Sequence, residues 1–402
     1  MSLETLLLLL LLLVLAVATA SCLYVPARLL WGVRRLRTRI GTVSEAVGGG
    51  EAPGVLVVLP CKASPEELDE LEANLAPVLE QDHPDYRVVF TIGSPDDPAR
   101  TVIDRLVARF PGRAELVVAE PRPGCSRKIS NQLGALAGAR PTDRIYVFLD
   151  ADARPCKSLL RRLVAPLEDP GVGVATGFRW YRPRPGAPLA SWLRAAWNAA
   201  GLGILTDPQY AYAWGGAMAI RREVFERGKV GEFWAHAATD DMSLTSAIKE
   251  AGLRVHFVPE ALVESPEDLN LAQVIEWTNR QTVICRVYHP RMWRDVFIGE
   301  ALTLLVTLAW LGLLVAGLAV IVLGRVAYEL GIVRVVQGIR PELVDRKLKW
   351  RLALFAPLTT PLLVLNSLRS WISTSIRWRG VRYRLLGPRR IEEIDPAPTA
   401  QG

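Results

Sequence analysis

The chain is 402 residues long, half of them hydrophobic, with a formal net charge of +7. That length suits one large domain or two smaller ones. The five cysteines (Cys22, Cys61, Cys125, Cys156, Cys285) form no CxxC pair and the four histidines are dispersed, which excludes a zinc cluster or disulfide framework as the organising principle and points to a reducing compartment. The basic residues crowd beside apolar runs, a pattern that fits an anionic membrane surface and argues against nucleic acid as the partner.

Thr5 to Ala27 is an uncharged, leucine-rich run long enough to cross a bilayer as a helix. It has no basic leader and no small-residue cleavage site, so it reads as a retained anchor. Arg28, Arg34, Arg35, Arg37 and Arg39 follow it, whereas only Glu4 precedes it. The positive-inside rule therefore predicts an outside amino terminus and a cytoplasmic chain from residue 28 onward. Residues 1–50 are this anchor and a basic linker ending in Gly48, Gly49 and Gly50.

From Gly54 the pattern alternates. A strand at Val55–Leu59 precedes an amphipathic helix over Pro65–Gln81 with Ser64 as N-cap. A second strand, Arg87–Ile92, runs into Asp96 and Asp97. A helix to about Phe110, a strand at Glu115–Ala119 and a small-residue helix within Gly124–Arg140 come next. The apolar run Ile145–Leu149 is a further strand, and it stops at Asp150 and Asp152. Repeated β-α-β units of this length predict an α/β fold with a Rossmann-like, mostly parallel sheet covered on both faces. The GxGxxG fingerprint is absent: Pro60, Cys61 and Lys62 stand where that turn would be.

Beyond Asp152 the pattern predicts a helix near Ser158–Pro166, a strand near Val172–Thr176 and a Trp-, Tyr- and Arg-rich stretch to Tyr212. Gly215 and Gly216 lead into a helix near Arg222–Arg227. Thr239 caps a helix opened by Asp240 and Asp241, Arg254–Val258 is a strand, and Glu267 to about Tyr288 is a long helix. The catalytic-type domain is thus bounded at 51–290, and 291–402 is a membrane or interfacial region. There, Ala301–Leu323 is an uncharged run of span length, and Leu352–Leu368, with Pro357 and Pro361, reads as a kinked span or a re-entrant helix. A three-span topology would put the basic segment between them outside, against the positive-inside rule. Either that segment lies in the interface as an amphipathic helix, or Ala301–Leu323 does not fully cross. The tail Ile376–Arg384 is basic and aromatic, as a cytoplasmic membrane face requires.

Three acidic sites carry the chemistry. In an open α/β sheet, ligands bind beyond the carboxyl ends of the strands. Asp150 and Asp152 at such an edge can share one hard divalent cation that holds a diphosphate, or can be turn and helix-cap residues. Asp96 and Asp97 end another strand, and Asp240 and Asp241 open a helix. A sugar nucleotide needs contacts to base and ribose, a cation on the diphosphate, and a base for the incoming hydroxyl. Lys128, with Asn131 one turn on, adds a charge toward the nucleotide.

On the residues Asn74 and Leu75, Asp82 to Tyr86, Asp96 to Ala99, Lys128 to Asn131, Asp150 with Asp152, and Asp240 with Asp241, the domain resembles a family-two type (GT-A) glycosyltransferase, and most the ceramide glucosyltransferase branch, family twenty-one. The likeness runs from about Gly54 to Pro290. It implies that Asp97 or Asp96 contacts the uridine, that Asp150 and Asp152 hold Mn2+ or Mg2+, and that Asp241, beside Asp240, is the general base. Lys62, Lys128 and Asp150 fall on the donor side. The family's QxxRW motif is altered: Gln273 and Trp277 have the spacing, but Glu276 replaces the arginine and would repel a diphosphate. Arg280 or Arg286 can replace it, with Gln281 adding a hydrogen bond; the alternative is an interfacial helix with Arg280 paired to Glu276. Trp378, Arg379 and Gly380 recur in relatives near the site, or serve as a membrane-surface anchor. Trp192, Trp197 and Trp214 line an acceptor groove or belong to the core.

The resemblance implies an inverting, metal-dependent transfer of a hexose, glucose in the reaction that names the family, from a UDP-sugar to the hydroxyl of a membrane lipid. A ceramide-like lipid, diacylglycerol or a hopanoid would serve as acceptor. The rival readings are a processive polysaccharide synthase, which needs more spans than this chain offers, and a non-catalytic GT-A membrane protein. A nucleotidyltransferase would need a glycine-rich activation loop that is not seen.

Overall fold

A computed structural model of the protein describes residues 2–43, 52–266, 268–313 and 316–395. The expected linker ending at Gly48–Gly50 lies outside the described residues. Two compact units emerge. One comprises residues 1–37, 183–207 and 268–373; the other comprises 38–182, 208–267 and 374–402. The units thus interleave along the sequence, and the tail after residue 373 belongs with the α/β unit.

That unit is built on a seven-stranded sheet. Its strands are β1 (Gly54–Pro60), β2 (Tyr86–Ile92), β3 (Ala114–Val118), β4 (Asp143–Leu149), β5 (Val172–Tyr181), β6 (Ala217–Arg221) and β7 (Arg254–Ser265), in spatial order β3-β2-β1-β4-β6-β5-β7. Every residue from Gly54 to Leu59 is buried. Val55, Val57 and Leu59 join one core layer and Leu56 and Val58 the other, because alternate side chains leave a strand on opposite faces. Each such side chain contributes roughly 1.5–3 kcal/mol by leaving water. β2 and β4 flank β1 and both run parallel to it, so their carboxyl ends open on the same edge.

The sheet departs from the parallel expectation at one strand. β6 is antiparallel to both β4 and β5. Its first residue, Ala217, pairs with Leu149 at the carboxyl end of β4. A strand that enters the sheet from that edge has to run the opposite way. The expected helix over Pro65–Gln81 is also divided, into two short 3-10 turns around the helix Leu68–Leu75; Pro77, which lacks an amide hydrogen, stands at the break.

At the opposite edge, Arg87 of β2 clamps the start of β4. Its Nη2 and Nε donate to Asp143 at 2.6 and 3.1 Å, and Nη2 also donates to the Gly138 carbonyl at 3.0 Å. Both side chains are under 8% exposed. Arg87→Met leaves the buried Asp143 without its guanidinium, with the Arg140 amide still donating at 2.6 Å; losing the cation of such a pair typically costs about 3–5 kcal/mol. A fall of several degrees in the thermal midpoint of the purified protein, largely reversed in the Arg87→Met/Asp143→Leu double variant, is the expected result.

The tail forms a separate antiparallel sheet, β8 (Ser375–Trp378), β9 (Val381–Gly387) and β10 (Arg390–Asp395). Alternation of buried Val381, Tyr383 and Leu385 with exposed Arg382, Arg384 and Leu386 gives β9 one apolar face. The Arg127 amide donates to the Tyr383 hydroxyl, and Arg127 pairs with Glu393 at 3.0 Å. Arg377, Arg382, Arg384 and Arg390 of this tail therefore sit on strands.

The other unit is helical. Its helices include the N-terminal rod Leu3–Val43 up to residue 37, Leu189–Gly201, Leu271–Tyr288, Pro290–Leu313, Ala316–Ile339 and Arg346–Ile372. Among the described residues, two helices, Leu9–Arg35 and Arg346–Ile372, are long and apolar enough to cross a membrane. The run Ala301–Leu323 is not one span. Glu300 and Arg325 bracket it and form an ion pair at 3.1 Å, whereas 25 residues of continuous helix would separate them by about 37 Å. The two helices sharing this run are therefore antiparallel arms. Gly324 and Gly331 lie against Leu23 and Leu30: an added Cβ would come within 2.3 and 2.5 Å of those leucines, so glycine permits the close, parallel approach to the N-terminal helix. Pro357 and Pro361 lie within a single helix, Arg346–Ile372. Trp350, Leu354, Leu358, Leu365, Leu368 and Ile372 form an exposed apolar stripe along it, at helical spacing.

Candidate active site

The carboxyl edge shared by β1, β2 and β4 gathers the charges of the α/β unit. β4 ends at Leu149, and the Asp150 amide donates to the Gly216 carbonyl at 3.3 Å, tying the strand end to the Trp214–Gly216 turn that opens β6. Gly215 is required there. A Cβ at this position would lie 2.8–2.9 Å from both Asp240 carboxylate oxygens, so any side chain would push Asp240 away.

Lys128, on the helix Arg127–Leu136, is the hub. Its Nζ lies 2.8 Å from Asp150 Oδ1 and 2.9 Å from Asp240 Oδ2, and donates to the Gly215 carbonyl at 3.2 Å. Burial works against its charge, but Asp150, Asp240 and Asp241 together raise its pKa above the usual lysine value. Asp240 is 1% exposed and accepts a further hydrogen bond from Gln132 Nε2 at 2.7 Å. These donors replace the water that a buried carboxylate gives up.

Asp241, its neighbour, opens the helix Asp240–Glu250 and is partly exposed. Its oxygens accept from the Met242 amide at 2.7 Å and the Gly215 amide at 3.2 Å. Desolvation, and then the Asp240 charge, push its carboxyl up to about 6 against the opposing pull of Lys128. The resulting group is ionised at neutral pH and more basic than an ordinary aspartate.

Asp150 and Asp152 meet a second cation. Arg179 of β5 places Nη2 at 2.7 Å from Asp150 Oδ2 and 2.7 Å from Asp152 Oδ1, and Nη1 at 2.8 Å from Asp152 Oδ2. The guanidinium lies 5.1 Å from the Trp214 ring and 5.5 Å from Tyr181. Burial alone would raise the Asp152 pKa, but Arg179, with Arg379 and Lys128 behind it, sets it below the usual carboxylate value.

The remaining sequence-predicted residues fall into three places. Asp97 Oδ1 accepts from the Ala99 and Ala63 amides at 3.0 and 3.3 Å, so it ties the start of the helix Ala99–Arg109 to the loop after β1, while Asp96 is exposed. Lys62, in that same loop, donates to the Arg379 carbonyl at 3.2 Å. Arg379 and Gly380 form the β8–β9 turn with positive φ at both, 49° and 87°, and Trp378 ends β8. Gln273, Trp277, Arg280, Gln281 and Arg286 all lie on the helix Leu271–Tyr288 of the helical unit. There Gln273 and Asn270 cap each other, Glu276 is exposed, and Trp277 packs edge-on to Trp197 at 5.3 Å. Arg286 donates to the Ser370 carbonyl and lies 5.6 Å from the Trp293 ring. Trp192 is buried under Arg351, and Trp214 packs on Phe178 beside Arg179.

Arg179, Gln132 and Gly215 are site residues that the sequence patterns pass over. An arginine within the otherwise apolar run Val172–Tyr181 was the available signal, since a charge on a buried strand demands a partner.

As to metal, Asp150 and Asp152 offer hard oxygen donors of the kind Mg2+ or Mn2+ takes, and only two protein ligands, leaving room for phosphate and water. Positive charge already sits between them as Arg179. Among the described residues no cluster of three or more His, Cys, Asp or Glu side chains forms a cage for an ion.

The family model described as Glycosyl transferase family 21 matches residues 13–391. Among solved structures, the chain is similar to a mannosyltransferase from Pyrobaculum calidifontis in complex with GDP-Man and Mn2+, at 18% identity and a TM-score of 0.46, covering 88% of this chain and 99% of that one. It is also similar to glucosyl-3-phosphoglycerate synthase from Mycobacterium tuberculosis, in complex with phosphoglyceric acid, at 18% identity and a TM-score of 0.36, covering 61% of this chain and 82% of that one.

Proposed function

The chain belongs to glycosyl transferase family 21, and from that premise we propose that it is an inverting transferase moving a hexose from a UDP-sugar to the hydroxyl of a membrane lipid at the cytoplasmic face. The observation that carries this reading is the Asp241 carboxylate: partly exposed, raised to about 6, and anchored at the strand edge where the other charges converge. An acceptor hydroxyl reaching Asp241 gives up its proton as its oxygen attacks the anomeric carbon, and the bond to UDP breaks on the opposite side, inverting the centre. Lys128, Arg179 and Arg379 supply positive charge for the departing diphosphate. A divalent ion held by Asp150 and Asp152 would supply further Lewis-acid stabilisation of that leaving group.

The family's name-giving reaction supports UDP-glucose as donor and a ceramide-like acceptor; diacylglycerol and hopanoid hydroxyls meet the same chemical demand. UDP is expected to raise the thermal midpoint of the purified protein in a saturable way at concentrations where GDP and ADP do nothing. Equal shifts with all three nucleotides would remove the uridine assignment.

The helical unit supports membrane attachment with the catalytic unit cytoplasmic. Because the arms sharing Ala301–Leu323 run antiparallel, the chain returns to the side it came from, and the basic stretch Arg334–Arg351 stays with Arg28–Arg39 on the positive side. This removes the conflict of the three-span reading. In a cysteine-free background, Lys349→Cys is expected to react with an impermeant maleimide from the cytoplasmic side only, and Ser2→Cys from the other side only. Labelling of both from one side would contradict this topology.

A further inference from the structure

The acidic pair at the end of β4 has no unclaimed oxygen. Asp150 Oδ2 and both Asp152 oxygens accept from Arg179 at 2.7–2.8 Å, and Asp150 Oδ1 lies 2.8 Å from Lys128 Nζ. Each of these oxygens thus faces a protein cation, Arg179 or Lys128, with Lys128 shared with Asp240 at 2.9 Å. Arg179 is 9% exposed and sits on a strand, with its guanidinium 5.1 Å from the Trp214 ring and 5.5 Å from that of Tyr181. A free dication approaching Asp150 and Asp152 meets that guanidinium first and is repelled by it.

We infer that Arg179 is a gate on the metal site: it keeps Asp150 and Asp152 closed to a divalent ion until a nucleoside diphosphate draws the guanidinium onto its phosphates. The exchange is chemically balanced. A guanidinium fork binds a phosphate as well as it binds a carboxylate, so leaving Asp152 for a diphosphate trades like for like. Once the fork has moved, both Asp152 oxygens and Asp150 Oδ2 are released, and an ion carried by the diphosphate completes its shell with them. Metal and nucleotide then enter together. The same movement puts a guanidinium on the leaving group. Sequence patterns assign Arg179 no role. The inference rests on the proposed use of a nucleoside diphosphate donor with a divalent ion.

The test is Mn2+ binding by the full-length protein in detergent, read from the electron paramagnetic resonance of free Mn2+ with and without UDP. Wild type is expected to bind Mn2+ at least ten-fold more weakly alone than with UDP. Arg179→Gln should bind Mn2+ alone at least ten-fold more tightly than wild type and lose most of the UDP enhancement. Arg179→Lys, which cannot span both carboxylates, should fall between them. Wild type binding Mn2+ equally well with and without UDP would overturn the gate, and this comparison stands even if the variants misfold. Should labelled UDP bind while no Mn2+ is taken up by either protein, the divalent-ion reading itself fails, and the gate falls with it for a different and recognisable reason.

Discussion

Asp241→Asn is expected to lower the turnover number by about 10²–10⁴, the usual contribution of a positioned base, while UDP still binds. Asparagine keeps the shape of the side chain and can accept one of the two backbone hydrogen bonds, from Gly215 or Met242, so the strand edge survives. What is lost is the proton acceptor. The pH profile follows from the same residue. Desolvation and the Asp240 charge raise the Asp241 carboxyl to about 6, and only the ionised form takes a proton. The rate is therefore expected to climb with pH through about 6, level off above 7, and fall about tenfold per unit well below 6. A wild-type profile flat down to pH 4, or an Asp241→Asn variant that turns over normally, sinks the base assignment.

Lys128→Met should produce the largest loss of stability at the site. The ammonium holds Asp150 and Asp240 together at 2.8 and 2.9 Å, and Asp240 is almost completely buried. Removing one partner of such a pair strands a charge away from water, at a cost of roughly 3–5 kcal/mol. Methionine fills the volume of the lysine stem, so packing changes little. The double variant Lys128→Met/Asp240→Asn should recover much of that loss, because Gln132 can still bond the new amide, yet it should stay inactive. Thermal unfolding in detergent of wild type, Lys128→Met, Asp240→Asn and the double variant reads the effect. Simple additivity of the two single losses would show that Lys128 and Asp240 do not depend on each other.

Several parts of this fold were legible in sequence for definite reasons. β1, β2 and β4 are short apolar runs bounded by turn residues, and strands covered on both faces cannot look otherwise. The acids at their ends were legible too, because a polar stop after a buried strand marks a sheet edge. β6 was not. Ala217–Arg221 is only five residues long, and its direction depends on pairing with β4, which no local pattern encodes. Arg179 was hidden for a related reason: its partners Asp150 and Asp152 lie 27 to 29 residues away in sequence. The hairpin in Ala301–Leu323 shows the opposite trap. Hydropathy measures how apolar a run is, and an antiparallel pair of arms is as apolar as one straight span; only the Glu300–Arg325 pair separates the two. Composition left the tail open between an element near the site and a membrane-surface anchor, whereas the alternation Val381, Tyr383, Leu385 was a period-2 signal for the strand it forms.

The most direct test of the central claim is transfer itself. Purified full-length protein, Mn2+ and UDP-glucose radiolabelled in the sugar are incubated with separated lipid classes, and the product is extracted into organic solvent. The account predicts label in a single glycolipid with a β-anomeric linkage, since the donor sugar is α-linked and one displacement inverts it, and no such product from Asp241→Asn. Label confined to water across all lipid classes, label in a water-soluble polymer, or an α-linked glycolipid would contradict it.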